Sequence, residues 1–253
     1  MRAFLVTGRA IISFYNDLFL LIGLSLLWWV TGGIFVGLAF LAMILGFQVA
    51  TQQSDPLLFL MNPLSNPFLI APLIAIPAGP ATAALANVSR QSARDLRADR
   101  SFYFDAFRMY WKKALGIAAV SAVVLSLLLM NLLFYLSRAG TLLQVLAFLW
   151  AYLVVFWAGV MVYQFPVLIG LVEPTVWSTL RTSVAMTFAN PLFSIFIVVI
   201  AGALTVLSGA IPILMLMAWP AVISLLGEHS LKLFVEIVRG QQEKQQQEDE
   251  SPK

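Results

Sequence analysis

The sequence predicts an all-α, polytopic membrane protein, a transmembrane bundle of about six helices with amphipathic connector helices on its inner face. Of its 253 residues, 61% are hydrophobic and only 11% are charged, whereas an ordinary soluble domain carries roughly 25% charged residues. The mean hydropathy is +0.92. Too few polar residues remain to cover a water-soluble fold, so the composition favours a bilayer.

The N-terminal quarter of the chain predicts a surface helix and then a first span. Residues 1–17 mix arginines and Asp17 with apolar side chains, which is typical of an interfacial helix. The charge-free run after them predicts a span at 18–48. This run is too long for the roughly 7 to 15 apolar residues of a signal peptide, and it exceeds the roughly 20 that a membrane crossing needs.

Proline and asparagine then punctuate residues 48–67, which predict an outer loop. The second predicted span, 68–88, contains Pro72, Pro77 and Pro80. Because proline removes a backbone donor, we expect this helix to be kinked and its free carbonyls to be satisfied by neighbours.

Residues 79–115, the basic segment, carry seven cations and three aspartates between two apolar spans. Its second half predicts an amphipathic helix in the headgroup plane. Topology control accounts for such a loop in any polytopic protein, and the same surface is a candidate for binding anionic lipid headgroups or a membrane-protein partner. The interleaved aspartates argue against nucleic acid. The candidate docking residues are Arg90, Arg94, Arg97, Arg100, Phe104, Phe107, Arg108, Trp111, Lys112 and Lys113.

The remaining spans are predicted at 114–136, 142–166, 191–208 and 211–226, with a tight turn at 137–141 that makes a hairpin of the first two. A connector helix is expected within 167–190, starting near Glu173 and Pro174. An amphipathic helix is expected at 228–239. One transmembrane domain thus covers 1–239, and the tail 240–253 is expected to be disordered because it has almost nothing apolar to bury.

Lysine and arginine placement predicts the orientation. With six spans, every lysine and arginine except Arg138 falls in an inner segment. Because such residues are retained on the cytoplasmic side, we expect the basic segment and both termini to lie in the cytoplasm. The predicted location is the cell (inner) membrane.

The sequence contains few of the residue types that usually carry out catalysis. The chain has no cysteine and a single histidine, His229, so thiol catalysis and multi-histidine metal sites are excluded. We predict no catalytic, cofactor-binding or metal residues, no cofactor, and a protein that is not an enzyme. Glu228 and His229 at the end of the last span are expected to make interfacial hydrogen bonds, or a pH-sensitive contact.

Several short motifs resemble the YesL-like family of bacterial integral membrane proteins, a family largely of unknown function. They cover roughly the first half of the chain. The matching positions are Asn16, Leu27 to Trp29, Gly79 to Leu85, Phe104 to Arg108, and Trp111 to Leu115. The resemblance implies a membrane companion of a carbohydrate-uptake system, without an established catalytic role.

Two functional hypotheses follow from these observations. The first is a non-enzymatic accessory or regulatory partner of a membrane complex, such as a carbohydrate-uptake system. The alternative is a small transporter or permease for a neutral or amphiphilic solute, because prolines break two of the spans while no span centre carries a charge.

Overall fold

The computed structural model describes residues 2–52, 66–94, 96–136 and 141–250, and all regular secondary structure in these ranges is helical. The all-α prediction is confirmed. The helices are α1 (Arg2–Asn16), α2 (Leu18–Trp28), a π-helical turn (Trp29–Gly33), α3 (Ile34–Gln52), α4 (Pro67–Ile74), a 3-10 turn (Ile76–Ala78), α5 (Gly79–Ala93), α6 (Ser101–Leu136), α7 (Thr141–Gly170), α8 (Val176–Ala189), α9 (Pro191–Ala210), α10 (Pro212–Met217) and α11 (Trp219–Glu250).

Five helical runs in the described ranges are long and apolar enough to cross a membrane. They are Leu18–Val49, Pro67–Ala93, Ser101–Leu136, Leu143–Gly170 and Pro191–Ala210. Their outward faces are apolar: Phe19 is 89% exposed, Val30 79% and Phe148 78%. A soluble monomer rarely exposes contiguous apolar surface on this scale, so the chain has the surface of a multi-pass membrane protein.

The sixth predicted span, 211–226, is not one helix. It is divided between α10 and the start of α11 by a turn at Ala218, next to Pro220. Proline restricts the residue before it and removes a backbone donor, and the break follows from that. The start of α11 is nevertheless central to the bundle, because Ala221, Leu225 and Leu226 are fully buried.

The prediction of a separate amphipathic helix in the basic segment is wrong. Residues 101–136 form one continuous helix, α6, so the aromatic-basic stretch continues directly into the third predicted span and is not a separate helix. Nothing between Ser101 and Leu136 breaks a helix, and its glycine, Gly116, is tolerated. Tyr103 and Ala106 face the core and are buried, whereas Phe104 and Trp111 are exposed.

Several predicted boundaries shift. The fourth span continues through Pro166 to Gly170, and the connector helix begins at Val176 because Thr175, rather than Glu173, caps it with a reciprocal bond to Ser178. The tail expected to be disordered from residue 240 is helical to Glu250, since glutamine, glutamate and lysine are good helix formers. Most of the predicted loop 48–67 and of the turn 137–141 lies outside the described residues.

Helix α1 packs on the bundle through one face. Val6 and Ala10 are each 1% exposed, and the Ser13 hydroxyl lies 3.0 Å from His229 Nε2 on α11. The opposite face exposes Phe4, Leu5, Ile11 and Ile12. The interfacial position of residues 1–17 remains a prediction; an apolar outer face is typical of helices that lie in the interface.

Candidate functional site

A partly open cavity of about 320 Å³ is lined by residues of α4, α5, α6, α7 and the start of α11, together with Trp28 of α2 and Val36 of α3. Prolines from three helices line it: Pro72, Pro166 and Pro220. Three interruptions of regular helical structure lie in its lining or directly next to a lining residue. We refer to it as the central cavity.

The first interruption is the π-helical turn Trp29–Gly33 between α2 and α3. Thr31 in this turn donates to the carbonyl of Leu27 at 2.9 Å and pairs with the Tyr103 hydroxyl at 2.7 Å. Single π turns inside α-helices often mark functional sites. The Thr31 and Tyr103 bond fixes this turn to α6.

The second interruption separates α4 from α5 at the 3-10 turn Ile76–Ala78. The indole N–H of Trp28 donates to the Thr82 hydroxyl at 3.1 Å, and that hydroxyl donates to the carbonyl of Ala78 at 2.9 Å. A tryptophan from α2 thereby satisfies polar groups at the break, as membrane helices require where the backbone is irregular.

The third interruption is the turn at Ala218 between α10 and α11. The carbonyl of Met215 accepts the indole N–H of Trp29 at 3.2 Å. The indole N–H of Trp219 donates to the Thr205 hydroxyl of α9 at 2.9 Å. Side chains from two other helices therefore hold this break in place.

The rings of these three tryptophans touch one another. Their centroids are 5.2 Å apart for Trp28 and Trp29, 5.8 Å for Trp28 and Trp219, and 6.4 Å for Trp29 and Trp219. We call this group the tryptophan cluster. It joins the π-helical turn to the break at Ala218, and Trp28 and Trp219 both face the central cavity.

Pro166 lies inside α7, where it cannot donate to the carbonyl of Val162. A Cβ atom at Gly227 would lie 3.0 Å from that carbonyl oxygen and 3.1 Å from Pro166 Cγ. Only a glycine at position 227 lets α11 approach α7 this closely without a shift.

A small polar group lies in this otherwise apolar cavity. Gln164 is 2% exposed, and its side-chain oxygen accepts the Ser121 hydroxyl at 2.6 Å. The Ser224 hydroxyl is buried and has no hydrogen-bond partner in the described part of the chain. No charged side chain is among the residues that line the cavity. Mostly apolar walls with a few placed polar groups are typical of small-molecule sites.

A second cavity, of about 720 Å³, lies where α5 and α7 end against α8 and α11. Arg90, Arg94 and Lys232 line it together with Glu228 and Glu236. We call it the basic pocket. Two of its cations cap helix ends: Arg90 donates to the carbonyl of Ile169, and Lys232 donates to the carbonyl of Ala93 at 3.1 Å. Such contacts satisfy carbonyls that lack helical partners. They also place the positive charge next to the negative end of the helix dipole, which is favourable.

Glu228 is the acidic group most deeply placed in this pocket. It is 4% exposed, and its Oε1 atom has no hydrogen-bond partner within the described structure. Burial raises the pKa of its carboxyl to about 8, and the charges of Arg90 and Arg94 offset this only in part. Of the predicted Glu228 and His229 hydrogen bonds, the one made by His229, to Ser13, is buried rather than interfacial.

The predicted docking residues divide between two places. Arg90 and Arg94 line the basic pocket. The remainder belong to a surface of residues 97–113, the aromatic-basic ledge, where Phe107, Arg108 and Trp111 line an open groove beside Pro77 and Pro80. Arg97, Arg100, Phe104 and Lys112 are exposed, whereas Lys113 is half-buried. The Lys112 ammonium lies 5.4 Å from the centre of the Trp111 ring.

The tryptophan cluster and the central cavity were missed by reasoning from sequence. The proline positions and the adjacent Trp28 and Trp29 were the available signals. Neither signal shows that helix interruptions far apart in the chain lie close together in the folded bundle.

The chain matches no family model, no curated protein and no solved structure. Within the described residues, no group of three or more His, Cys, Asp or Glu side chains is placed to hold a metal ion.

Proposed function

We propose that this protein is a small permease that binds a neutral or amphiphilic solute in the central cavity. The observation that carries the proposal is the cavity itself, which is lined by the 3-10 turn and by Trp28 and Trp219, the residues next to the π-helical turn and to the break at Ala218. Many transporters place their substrate sites between such interrupted helices, because the backbone there can face a cavity without contacting lipid.

The cavity supports a particular class of solute. Its volume of about 320 Å³ is near the lower end of the roughly 300 to 1,000 Å³ found for ligand sites. Gln164, Ser121 and Ser224 offer hydrogen bonds, while the absence of charged lining residues disfavours an ion. A small polyol or sugar, or a short amphiphile, fits this chemistry.

Osmotic swelling of proteoliposomes tests the proposal. Vesicles containing the protein are mixed with glycerol, xylose or glucose, and swelling is followed by light scattering. We expect at least one solute to enter faster than it enters empty vesicles. If all three solutes entered the protein-containing vesicles no faster than they enter empty vesicles, the permease proposal would be contradicted.

A matched pair of variants connects any transport to the cavity. Ala122 lines the cavity and is 5% exposed, whereas Val123 is 48% exposed on the outer face of the same helix. Ala122→Phe should abolish the faster entry and Val123→Phe should leave it unchanged. Ser224→Leu fills the same cavity without breaking a hydrogen bond of the described structure, and it serves if Ala122→Phe does not fold.

The accessory role predicted from the sequence remains the second candidate, and the aromatic-basic ledge favours it. Phe104 and Trp111 are 48% and 45% exposed there, beside the cations Arg108 and Lys112. Aromatic and arginine side chains are enriched in protein interfaces. Under this proposal the protein is not an enzyme, and its partner is a membrane complex such as a carbohydrate-uptake system.

Affinity purification in mild detergent tests the accessory role. We expect a stoichiometric membrane-protein partner to be retained by the wild type and lost with Trp111→Ala. Phe19→Ala, which removes a ring from a lipid-facing surface, should retain it. Recovery of the protein alone under several mild conditions would contradict this candidate.

A further inference from the structure

The basic pocket has the charges of an anion site and the walls of a lipid site. Three cations, Arg90, Arg94 and Lys232, face it against two carboxyl groups. The other side of the pocket is apolar. Its lining there includes Val167, Leu171, Met186, Leu231, Phe234 and Val235.

The cations have donors to spare. The described structure uses one Arg90 nitrogen on Ile169 and the Lys232 ammonium on Ala93, whereas a guanidinium has five N–H donors and an ammonium has three. Arg94 is exposed, and its guanidinium makes no hydrogen bond in the described part of the chain, where only its backbone N–H donates, to Gln91. These remaining donors fit a phosphate group, which accepts several charge-assisted hydrogen bonds at once.

The Glu228 carboxyl indicates that a molecule bound in this pocket carries a second polar group, a hydrogen-bond donor. Both arginines act on its carboxyl electrostatically, yet within the described residues neither forms an ion pair with it and Oε1 accepts no hydrogen bond. A buried acceptor without a donor costs free energy. A hydroxyl or ammonium group on a bound molecule would supply that donor.

We propose that the basic pocket binds one glycerophospholipid, with its phosphate on Arg90 and Arg94 and a hydroxyl or ammonium group of its headgroup donating to Glu228. The acyl chains lie along the apolar wall. The lipid is favoured over a soluble organic phosphate because that wall would otherwise face water. The site is separate from the central cavity and does not depend on the permease proposal.

Native mass spectrometry of the purified full chain with an equal mixture of three lipids tests this proposal. Phosphatidylethanolamine, phosphatidylglycerol and phosphatidylcholine with identical acyl chains share the phosphate, but only the first two carry a headgroup donor. We expect one tightly retained lipid, with phosphatidylethanolamine and phosphatidylglycerol each preferred over phosphatidylcholine by about tenfold, the effect of one hydrogen bond. Equal retention of all three lipids would overturn the proposal.

Variants assign the two halves of the headgroup. Glu228→Leu should remove the preference over phosphatidylcholine, while Glu228→Gln, which keeps an acceptor oxygen, should retain part of it. Arg94→Gln should weaken retention of all three lipids by about fivefold, the effect of one cation near a membrane surface. Arg108→Gln, on the aromatic-basic ledge, is the matched control and should change neither quantity.

Neither Glu228 variant removes a hydrogen bond of the described structure, so both are expected to fold. An unchanged lipid preference in Glu228→Leu would contradict the assignment of the headgroup donor. Displacement of the bound lipid by an equal concentration of soluble phosphoethanolamine or glycerol 3-phosphate would show that the site serves a soluble phosphate, and would overturn the lipid proposal.

Discussion

At the scale of single residues, Glu228 combines deep burial with an acceptor oxygen that has no partner in the described structure. Its pKa is raised from 4.5 to about 8 because burial disfavours the charged form. The residue lies just beyond the last predicted span and lines the basic pocket, in which Arg94 and Glu236 are exposed. Its titration therefore links folding stability to pH.

The sign of this link follows from proton binding. Below pH 4.5 the Glu228 carboxyl is protonated in both the folded and the unfolded chain. The folded state then carries no cost for burying a charge at Glu228, and folding stability is highest with respect to this group. As pH rises from 4.5 to about 8, the unfolded chain loses the proton first, and stability falls by at most about 1.4 kcal/mol per pH unit. We expect the unfolding temperature in detergent to fall across this window and to level off above it.

Glu228→Gln isolates this effect, because His229 and the neighbouring cations are unchanged in the variant. We expect the variant to have a flatter stability profile and to be more stable than the wild type at pH 8. Parallel profiles for the two proteins would show that Glu228 does not titrate in this window.

Trp29 is the second residue with a distinct expected effect. Its indole N–H donates to the Met215 carbonyl at the break before α11, and Trp29→Phe keeps most of the ring but leaves that carbonyl without this donor. This bond is part-buried, so its loss costs a fraction of the roughly 1 to 3 kcal/mol of a fully buried unsatisfied group, and we expect a lower unfolding temperature in detergent. Trp177→Phe, at a ring that is 74% exposed, should show almost no change.

At the scale of elements, Gly79 allows α5 to approach α6 closely. A Cβ atom there would lie 2.7 Å from the Ala114 carbonyl oxygen and 2.8 Å from Ala118 Cβ, and the first of these is backbone that has little freedom to move. We expect Gly79→Ala to separate the two helices and lower the unfolding temperature. Gly202→Ala, which meets nothing within 4 Å, should be neutral or slightly stabilising because alanine favours helix.

The helix boundaries and buried faces show which features of a helix a sequence pattern can predict. Prolines predicted a kink in 68–88, and the 3-10 turn Ile76–Ala78 lies there. The pattern at 103–113 predicts a surface helix because aromatic and charged residues fall on opposite faces at helical spacing, but the residues that face the core are Tyr103, Ala106 and Ala114. Helical periodicity gives the faces of a helix, and neighbouring helices decide which face is buried.

At the scale of the whole molecule, the orientation in the membrane is a prediction from lysine and arginine placement. It requires the segment 211–226 to complete a crossing despite its break at Ala218. The 16 residues from Pro212 to Gly227 would span about 24 Å as helix, less than the roughly 30 Å of a hydrocarbon core. Neighbouring residues or a locally thinner bilayer must supply the difference.

Topology reporters decide this point. A reporter fused after Lys113 and one fused after Lys253 should both report the cytoplasm if the segment crosses. A reporter after Lys113 in the cytoplasm with one after Lys253 outside would show that α10 and the start of α11 do not cross, and would leave five spans.

The sequence by itself determined that this protein is a helical membrane protein, where most spans lie, and which segments carry the charge. These properties depend on composition and on runs of neighbouring residues, which a linear pattern contains. The tertiary structure decided that Trp28, Trp29 and Trp219 meet at three helix interruptions, and that Arg90 and Arg94 on α5 face Glu228 on α11. Those juxtapositions join residues more than a hundred positions apart, and they depend on how the helices pack, which no local pattern specifies.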